Sequence, residues 1–175
     1  NNIPSLTKEE EFLLAKNYLE NNDLEAAQRL VLSHLKLVVK IAIKYKNYGL
    51  PLPELVSEGN IGLMQAVKKY DHKLGFRLST YAMWWIKASI QEYVLKSWSL
   101  VKIGTTSAQK KLFFSLGKIK HRIINTYARA INDQDYQEMA DELGVSLKEV
   151  VEMDQRMAGT DISLNRSANR EDENA

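Results

Sequence analysis

Residues 70–91 read YDHKLGFRLSTYAMWWIKASIQ, and this stretch determines how the rest of the chain is interpreted. Placed on a helix at about 100° per residue, it has two apolar sides. The first is an ordinary core stripe that continues past the stretch: Met83, Ile86, Ile90, Tyr93 and Val94. The opposite side carries aromatic and polar residues: Tyr81, Trp84, Trp85, Ala88 and Gln91. Because an amphipathic helix of a small domain needs only one apolar side, the aromatic side predicts a separate partner.

Basic residues surround the aromatic side: Lys68, Lys69, Lys73, Arg77, Lys87, Lys96 and Lys102. Lysines alone are most simply read as a solvated surface. Aromatic rings among cations are typical of proteins that bind single-stranded nucleic acid, because every base has a π face and every linkage carries a charge. The coincidence of both features favours nucleic acid as the partner.

Charge is distributed unevenly along the 175 residues, although the net charge is only +2. Residues 68–122 carry 12 basic and 2 acidic side chains, whereas residues 123–175 carry 5 basic and 12 acidic ones.

The absence of cysteine excludes disulfides and cysteine nucleophiles and is compatible with a reducing compartment. No apolar run approaches the roughly 20 residues of a membrane span, so a cytoplasmic protein is predicted. The chain begins at Asn1, which suggests processing or truncation.

Helical spacing dominates the first half and predicts an all-α fold. Thr7 with Glu10 predicts a capped helix to about Glu20, packed through Phe12, Leu13, Ala15, Lys16 and Leu19. Asn22 or Asp23 caps a long helix from Leu24 to about Lys46, ended by Gly49. Lysines recur on its outer side, where a solvated ridge is favoured over a ligand-facing one: Lys36, Lys40 and Lys44.

The next helix, from about Glu54 to Tyr70, contains two glycines and a polar cluster. Gly59 and Gly62 predict the close approach of another helix or a partner, since each glycine costs about 1 kcal/mol relative to alanine. The cluster consists of Glu54, Ser57, Glu58 and Asn60, with Met64 one turn further on. Paired carboxylates can serve acid–base chemistry or a metal, but no histidine or metal-ligand motif lies nearby, so protein contact is favoured.

Ser79 is predicted to cap the aromatic helix, which continues to about Trp98, and the segment from Ser99 to Ser107 with Gly104 predicts a boundary. A basic helix from Ala108 to about Tyr127 follows, with an apolar side of Leu112, Phe113, Leu116, Ile119, Ile123 and Ile124. Asp135 with Glu138 and Ser146 with Glu149 predict two further capped helices. Their spacing of Ala140, Gly144 and Val150 is typical of a helix-turn-helix. Their acidic character favours a structural or protein-binding role over DNA reading.

Several long segments resemble bacterial RNA polymerase sigma factors of the primary-related class. They are HLKLVVKIAIKYKNYGL (34–50), ELVSEGNIGLMQAV (54–67) and GFRLSTYAMWWIKASIQEYV (75–94). WSLVKIGTTSAQKKLFFSLGKIKHRI (98–123) and DELGVSLKEVVEMDQRM (141–157) are similar to the heat-shock type. The resemblance covers nearly the whole chain, but not the promoter-distal helix-turn-helix of the family, so residues 159–175 resemble the start of a linker.

The resemblance implies two binding surfaces and no catalytic site. A coiled coil of the largest polymerase subunit is expected to contact Glu54, Ser57, Glu58, Asn60 and Met64. The box typical of heat-shock sigma factors is expected to contact polymerase core as well, through Gln109, Lys110, Lys111, Leu112, Phe113 and Phe114. Promoter DNA, above all the single-stranded minus-ten region, is expected to contact Tyr70, Phe76, Arg77, Ser79, Tyr81, Trp84, Trp85, Lys87, Ala88, Gln91, Lys102, Thr106 and Gln109. Two departures from the family pattern are Ala88 in place of a glutamine and Gly117 in place of a basic residue.

The expected architecture is an all-α core-binding and minus-ten domain, 1–105, then a small three-helix domain, 106–158, and a flexible linker stub, 159–175. The expected function is that of a heat-shock sigma factor, which needs no cofactor or metal and is not an enzyme. Regulatory chaperones and a protease are further partners that the heat-shock type implies. The alternative is a helical adaptor that binds polymerase or chaperones without reading DNA.

Overall fold

The structure is a computed structural model that describes residues 5–98 and 106–159. Within those ranges every regular element is a helix, which confirms the all-α prediction. The chain divides into two compact units, Asn1–Ser97 and Trp98–Ala175. The predicted connector at 99–105 and the predicted linker stub from 160 onward lie outside the described residues, so the domain limits stay predictions.

Four helices build the first unit. Their bounds are α1 Lys8–Asn21, α2 Leu24–Ala42, α3 Leu52–Lys69 and α4 Leu78–Trp98, whose last residue falls in the second unit. Short 3₁₀ turns follow α2 at Ile43–Tyr48 and α3 at His72–Leu74. The predicted caps at Thr7 with Glu10 and at Asp23 are confirmed. The helix predicted to continue to about Lys46 ends at Ala42, and left-handed Gly49 ends the 3₁₀ turn that follows it.

The core of the first unit lies where α3 and α4 pack closely against each other and against α2. A Cβ added to Gly59 would lie 2.6 Å from Val38 Cγ1, and one added to Gly62 would lie 2.5 Å from the Trp85 carbonyl oxygen. The predicted close approach at both glycines is therefore confirmed. The backbone of α4 lies in close contact with α3 at Gly62. The position of its aromatic side is therefore fixed relative to the polar cluster on α3.

Two local predictions about this unit are wrong. Helix α4 begins at Leu78, so Ser79 lies inside its first turn and does not cap it. In α1 the residues Phe12, Leu13 and Leu19 are exposed, while Ala15 and Glu11 are buried. On this buried side of α1 the Glu11 carboxylate binds groups on other elements.

Helices α5 Ser107–Tyr127, α6 Asp133–Leu143 and α7 Leu147–Gly159 form the second unit. Its core contains the predicted residues Leu112, Phe113, Leu116 and Ile123, whereas Ile124 is exposed, contrary to prediction. Buried Ala140 and Val150, with left-handed Gly144 between their helices, confirm the helix-turn-helix spacing.

Caps in the second unit are partly as predicted. Ser146 and Glu149 form the predicted reciprocal cap of α7. Asp135 does not cap α6; Asn132 does, and Asp135 is the third helical residue of that capping box. Asp135 also accepts two hydrogen bonds from Arg129, at 2.6 and 2.9 Å, and this pairing lowers the pKa of Asp135 to about 2.

Within the described part of the chain, no helix is long and apolar enough to cross a membrane.

Candidate nucleic-acid interface

Three aromatic side chains form a continuous series along the end of α3 and the start of α4. The Tyr70 and Tyr81 ring centroids are 6.0 Å apart, and those of Tyr81 and Trp85 are 6.3 Å apart with an interplanar angle of 64°. These distances fall in the range of favourable aromatic contacts. The sequence-predicted Tyr70, Tyr81 and Trp85 are therefore brought together, and we call them the aromatic series.

A lysine lies over each of the two tryptophan rings. Lys69 Nζ is 4.6 Å from the centroid of Trp85, and Lys87 Nζ is 5.7 Å from that of Trp84. Such cation–π contacts place positive charge where a phosphate linkage beside a stacked base would need it. Trp84 is 68% exposed, so its ring is accessible to a ligand, whereas Trp85 is partly covered by Tyr81 and Lys69.

The turn before α4 presents a further ring to solvent. Phe76 is 67% exposed, while its carbonyl oxygen accepts a hydrogen bond from the buried Tyr70 hydroxyl. Burial, with a smaller contribution from the charge of Glu11, raises the pKa of Tyr70, so the hydroxyl stays a donor at neutral pH. The turn backbone is thus tied to the aromatic series while the Phe76 ring remains free to contact a ligand.

Arg77, predicted to contact DNA, is bound to helix α1. Its Nε and one terminal nitrogen each donate to the Glu11 carboxylate at 2.9 Å, and that terminal nitrogen also donates to the Leu6 carbonyl at 3.0 Å. Hydrogen bonding to Glu11 raises the pKa of Arg77, so the guanidinium is firmly cationic. Sequence reasoning did not single out Glu11; the available signal is its spacing of four residues from the small, buried Ala15.

The residues expected to read the duplex next to the aromatic series differ in their surroundings. Ala88 is exposed on the same side of α4, as predicted. The Gln91 side-chain amide donates to the Tyr45 hydroxyl at 3.0 Å, and burial raises the pKa of Tyr45. Gln91 would have to leave this partner to hydrogen-bond a base edge.

Predicted contact residues in the second unit lie at the start of α5. Thr106 and Gln109 cap that helix: the Gln109 backbone N–H donates to the Thr106 hydroxyl oxygen at 3.3 Å. Lys110 and Lys111 are exposed, Phe114 is half-buried, and Leu112 and Phe113 are buried in the core. Lys102 lies outside the described residues.

The polar cluster of α3 is a second surface on the first unit. Glu54 and Ser57 are exposed, Glu58 is half-buried, and Glu54 accepts a hydrogen bond from the Tyr93 hydroxyl, which raises the pKa of Tyr93. Exposed apolar side chains accompany them, Ile61 at 44% and Met64 at 45%. Asn60 is half-buried, and its side-chain oxygen has no hydrogen-bond partner among the described residues. Carboxylates beside exposed apolar groups suit a protein partner.

The described residues hold no group of His, Asp and Glu side chains that could bind a metal ion. The two surfaces offer ring faces, cations and an apolar-polar patch to a ligand. A helical fold with an aromatic, cationic surface is typical of proteins that bind nucleic acid.

Comparison with known proteins gives this class a family. Residues 30–99 match the family model "Sigma-70 region 2". The chain is 55% identical to "RNA polymerase sigma factor RpoH" of Caulobacter vibrioides (strain NA1000 / CB15N) over 163 residues, 93% of this chain and 55% of that protein. It is 58% identical to the RpoH of Zymomonas mobilis subsp. mobilis over 93% of this chain and 54% of that protein. It is 47% identical to "RNA polymerase sigma-C factor" of Myxococcus xanthus over 94% of this chain and 55% of that protein.

The chain therefore contains a region 2 domain of the sigma-70 family of RNA polymerase sigma factors, at residues 30–99. Within that family it is similar to the heat-shock sigma factors named RpoH, and it spans about 55% of the length of these relatives. The relatives are sigma factors and not enzymes, which agrees with the prediction that the chain is no enzyme.

Proposed function

We propose that this chain is the polymerase-binding and promoter-opening part of a heat-shock sigma factor, acting in the cytoplasm. The polar cluster of α3 binds a coiled coil of the polymerase core, and the aromatic series with Phe76 and Trp84 holds unstacked bases of the non-template minus-ten strand. The observation that supports this most directly is the run of rings from Tyr70 to Trp85 with Lys69 at 4.6 Å from the last of them.

Strand opening by such a surface requires no bond to be made or broken. A base that leaves the duplex loses stacking and pairing worth a few kcal/mol, and it regains stacking on an aromatic ring and attraction to a nearby lysine. Because the surface binds the single-stranded form and not the paired one, it shifts the equilibrium from closed to open DNA. The exposed ring of Trp84 beside Lys87 meets both needs.

A strand-capture titration tests this function. A fluorescently labelled single-stranded oligonucleotide with the non-template minus-ten sequence is titrated with polymerase core that carries this chain. We expect tighter binding than to the template-strand oligonucleotide, and a log–log decrease in affinity with salt of about 0.7 per phosphate contacted. A helical adaptor that does not read DNA would bind core and show no strand preference.

Glu58→Lys is expected to weaken binding to polymerase core by at least about tenfold, a typical cost of about 1.4 kcal/mol or more for a reversed charge in a protein interface. Glu58 is half-buried on the outer side of α3, so the substitution leaves the core packing of the helix intact. The measurement is a core titration of fluorescently labelled chain.

Glu20→Lys at the end of α1 is the matched control, because it makes the same charge change at an exposed position outside both proposed surfaces. Equal core affinities for the two variants would remove the polar cluster from the polymerase-binding surface.

A further inference from the structure

Glu11 is the one buried carboxylate of the first unit within residues 5–98, with 2% of its surface exposed. It lies on α1, yet its partners lie elsewhere in sequence. Its two oxygens accept from Arg77, one accepts from the Leu78 backbone N–H at 3.3 Å, and the other lies 3.5 Å from His34 Nε2. A buried carboxylate is stable only where such donors surround it, so this cluster is a built element of the fold.

The Leu78 amide is the first N–H of α4, the helix that carries the aromatic series. Helix N-termini leave their first amides without intrahelical partners and favour a negative charge nearby. The residue before Leu78 is Arg77, whose side chain cannot accept a hydrogen bond. Glu11 therefore performs for α4 the role of a cap, from a position 67 residues away in the chain.

Glu11 also fixes the turn that carries Phe76. Arg77 is held by Glu11 and the Leu6 carbonyl, and the neighbouring Phe76 carbonyl is held by the Tyr70 hydroxyl. The turn is thus anchored on both sides while the Phe76 ring is exposed. These anchors determine where the Phe76 ring and the first turn of α4 lie relative to Tyr70 and Tyr81.

We propose that Glu11 is a positioning residue for base capture: through Arg77 and the Leu78 amide it sets the start of α4 and the Phe76 turn in the geometry that receives unstacked bases. This inference rests on the proposed function of the aromatic series and adds helix α1 to it. Arg77 accordingly acts on DNA affinity through position, and not as a phosphate contact.

Neutralising the charge of Glu11 tests the proposal, because the two explanations predict opposite changes in affinity for the DNA strand. Removing a negative charge close to DNA strengthens binding if charge alone matters, because the polyanion is repelled less. Loss of the positioning contacts weakens it. Glu11→Gln in polymerase-bound chain is expected to weaken capture of the non-template minus-ten oligonucleotide about tenfold, with core affinity within twofold of the parent.

Glu9→Gln is the matched control. Glu9 is exposed in the same helical turn and acts on Arg77 through its charge. We expect unchanged or slightly tighter strand binding for this variant. If Glu11→Gln matches Glu9→Gln while both bind core normally, Glu11 has no positioning role.

Arg77→Lys keeps the positive charge but loses the bidentate hydrogen bonding to Glu11. This variant tests the positioning role if Glu11→Gln fails to fold. We expect weaker strand capture with an unchanged slope against salt, because the number of phosphate contacts stays the same. Unchanged capture would overturn the positioning role, and so would a slope that falls by one phosphate contact in Arg77→Gln, the variant that removes the charge. Failure of the parent protein to prefer the non-template strand would instead refute the proposed function.

Discussion

Replacement of Trp84 and Trp85 together by alanine is expected to weaken capture of the single-stranded minus-ten oligonucleotide by at least about 30-fold in the polymerase-bound chain. Stacking of a base on an aromatic side chain is worth about 1–3 kcal/mol, so two lost rings cost about 2–6 kcal/mol, and each 1.4 kcal/mol is a factor of about ten in affinity. The cations over both rings would lose their partners as well.

Trp84 and Trp85 differ in burial, so single substitutions distinguish a loss of strand affinity from a loss of stability. Trp84 is 68% exposed, so Trp84→Ala removes a ring without opening the core, and its thermal midpoint should match that of the parent. Trp85 contacts Tyr81 and Lys69, so Trp85→Ala also removes intramolecular contacts. If Trp84→Ala alone leaves strand affinity unchanged, the exposed ring does not receive a base.

Tyr127→Ala is the matched control for both substitutions. Tyr127 is an exposed aromatic residue of the second unit with a cation over its ring, the Arg129 guanidinium at 5.6 Å. The same loss of a ring and a cation–π contact at this position should leave strand capture within twofold. A comparable loss at Tyr127 would show that general destabilisation, and not base stacking, lowers the affinity.

The features that sequence predicts well are those determined by near neighbours in the chain. The cap formed by Thr7 with Glu10 depends on residues three positions apart, and Gly144 has the conformational freedom that its left-handed turn requires. The two-sided pattern of α4 follows from helical periodicity alone. Gly59 and Gly62 reveal close packing because the loss of helix propensity needs a compensating contact.

The features that sequence misses depend on partners far apart in the chain. Glu11 is the last of three consecutive glutamates in α1, and nothing within that helix indicates that Arg77, 66 positions away, will pair with it. Likewise, Tyr45 holds Gln91, and Tyr93 binds Glu54, across separations of 46 and 39 positions. A residue identified by motif as a DNA or polymerase contact can therefore have an intramolecular partner that its motif does not reveal.

Gly62→Ala is expected to lower the free energy of unfolding of the first unit by about 1–3 kcal/mol, the usual cost of overpacking a tight contact. Helix propensity alone would make the alanine variant more stable, by about 1 kcal/mol. A loss of stability would therefore come from the contact between the helices. The added Cβ would lie 2.5 Å from the Trp85 carbonyl oxygen and 2.9 Å from Ser89 Cβ. Backbone cannot rotate away as a side chain can, so α3 and α4 must separate.

The functional consequence of that separation falls on the aromatic helix more than on the polar cluster. Trp85 contributes the obstructing carbonyl, and its ring belongs to the aromatic series, whereas Glu58 and Met64 point away from the contact on the exposed side of α3. Strand capture by Gly62→Ala should therefore fall more than core binding does, measured with the same two titrations at a temperature where the variant remains folded.

Two substitutions on the same helix bracket the expected result. Gln65→Ala, at an exposed position, should change stability by less than about 0.5 kcal/mol. Gly59→Ala should cost less than Gly62→Ala, because its new Cβ meets side-chain atoms of Val38, Ile90 and Ile86 and no backbone atom among its nearest neighbours. Thermal unfolding monitored by circular dichroism measures all three, with about 4–8 °C expected per kcal/mol for a unit of this size. A Gly62→Ala variant as stable as Gln65→Ala would mean that the helices tolerate a wider spacing, and the aromatic series would then not depend on α3 for its placement.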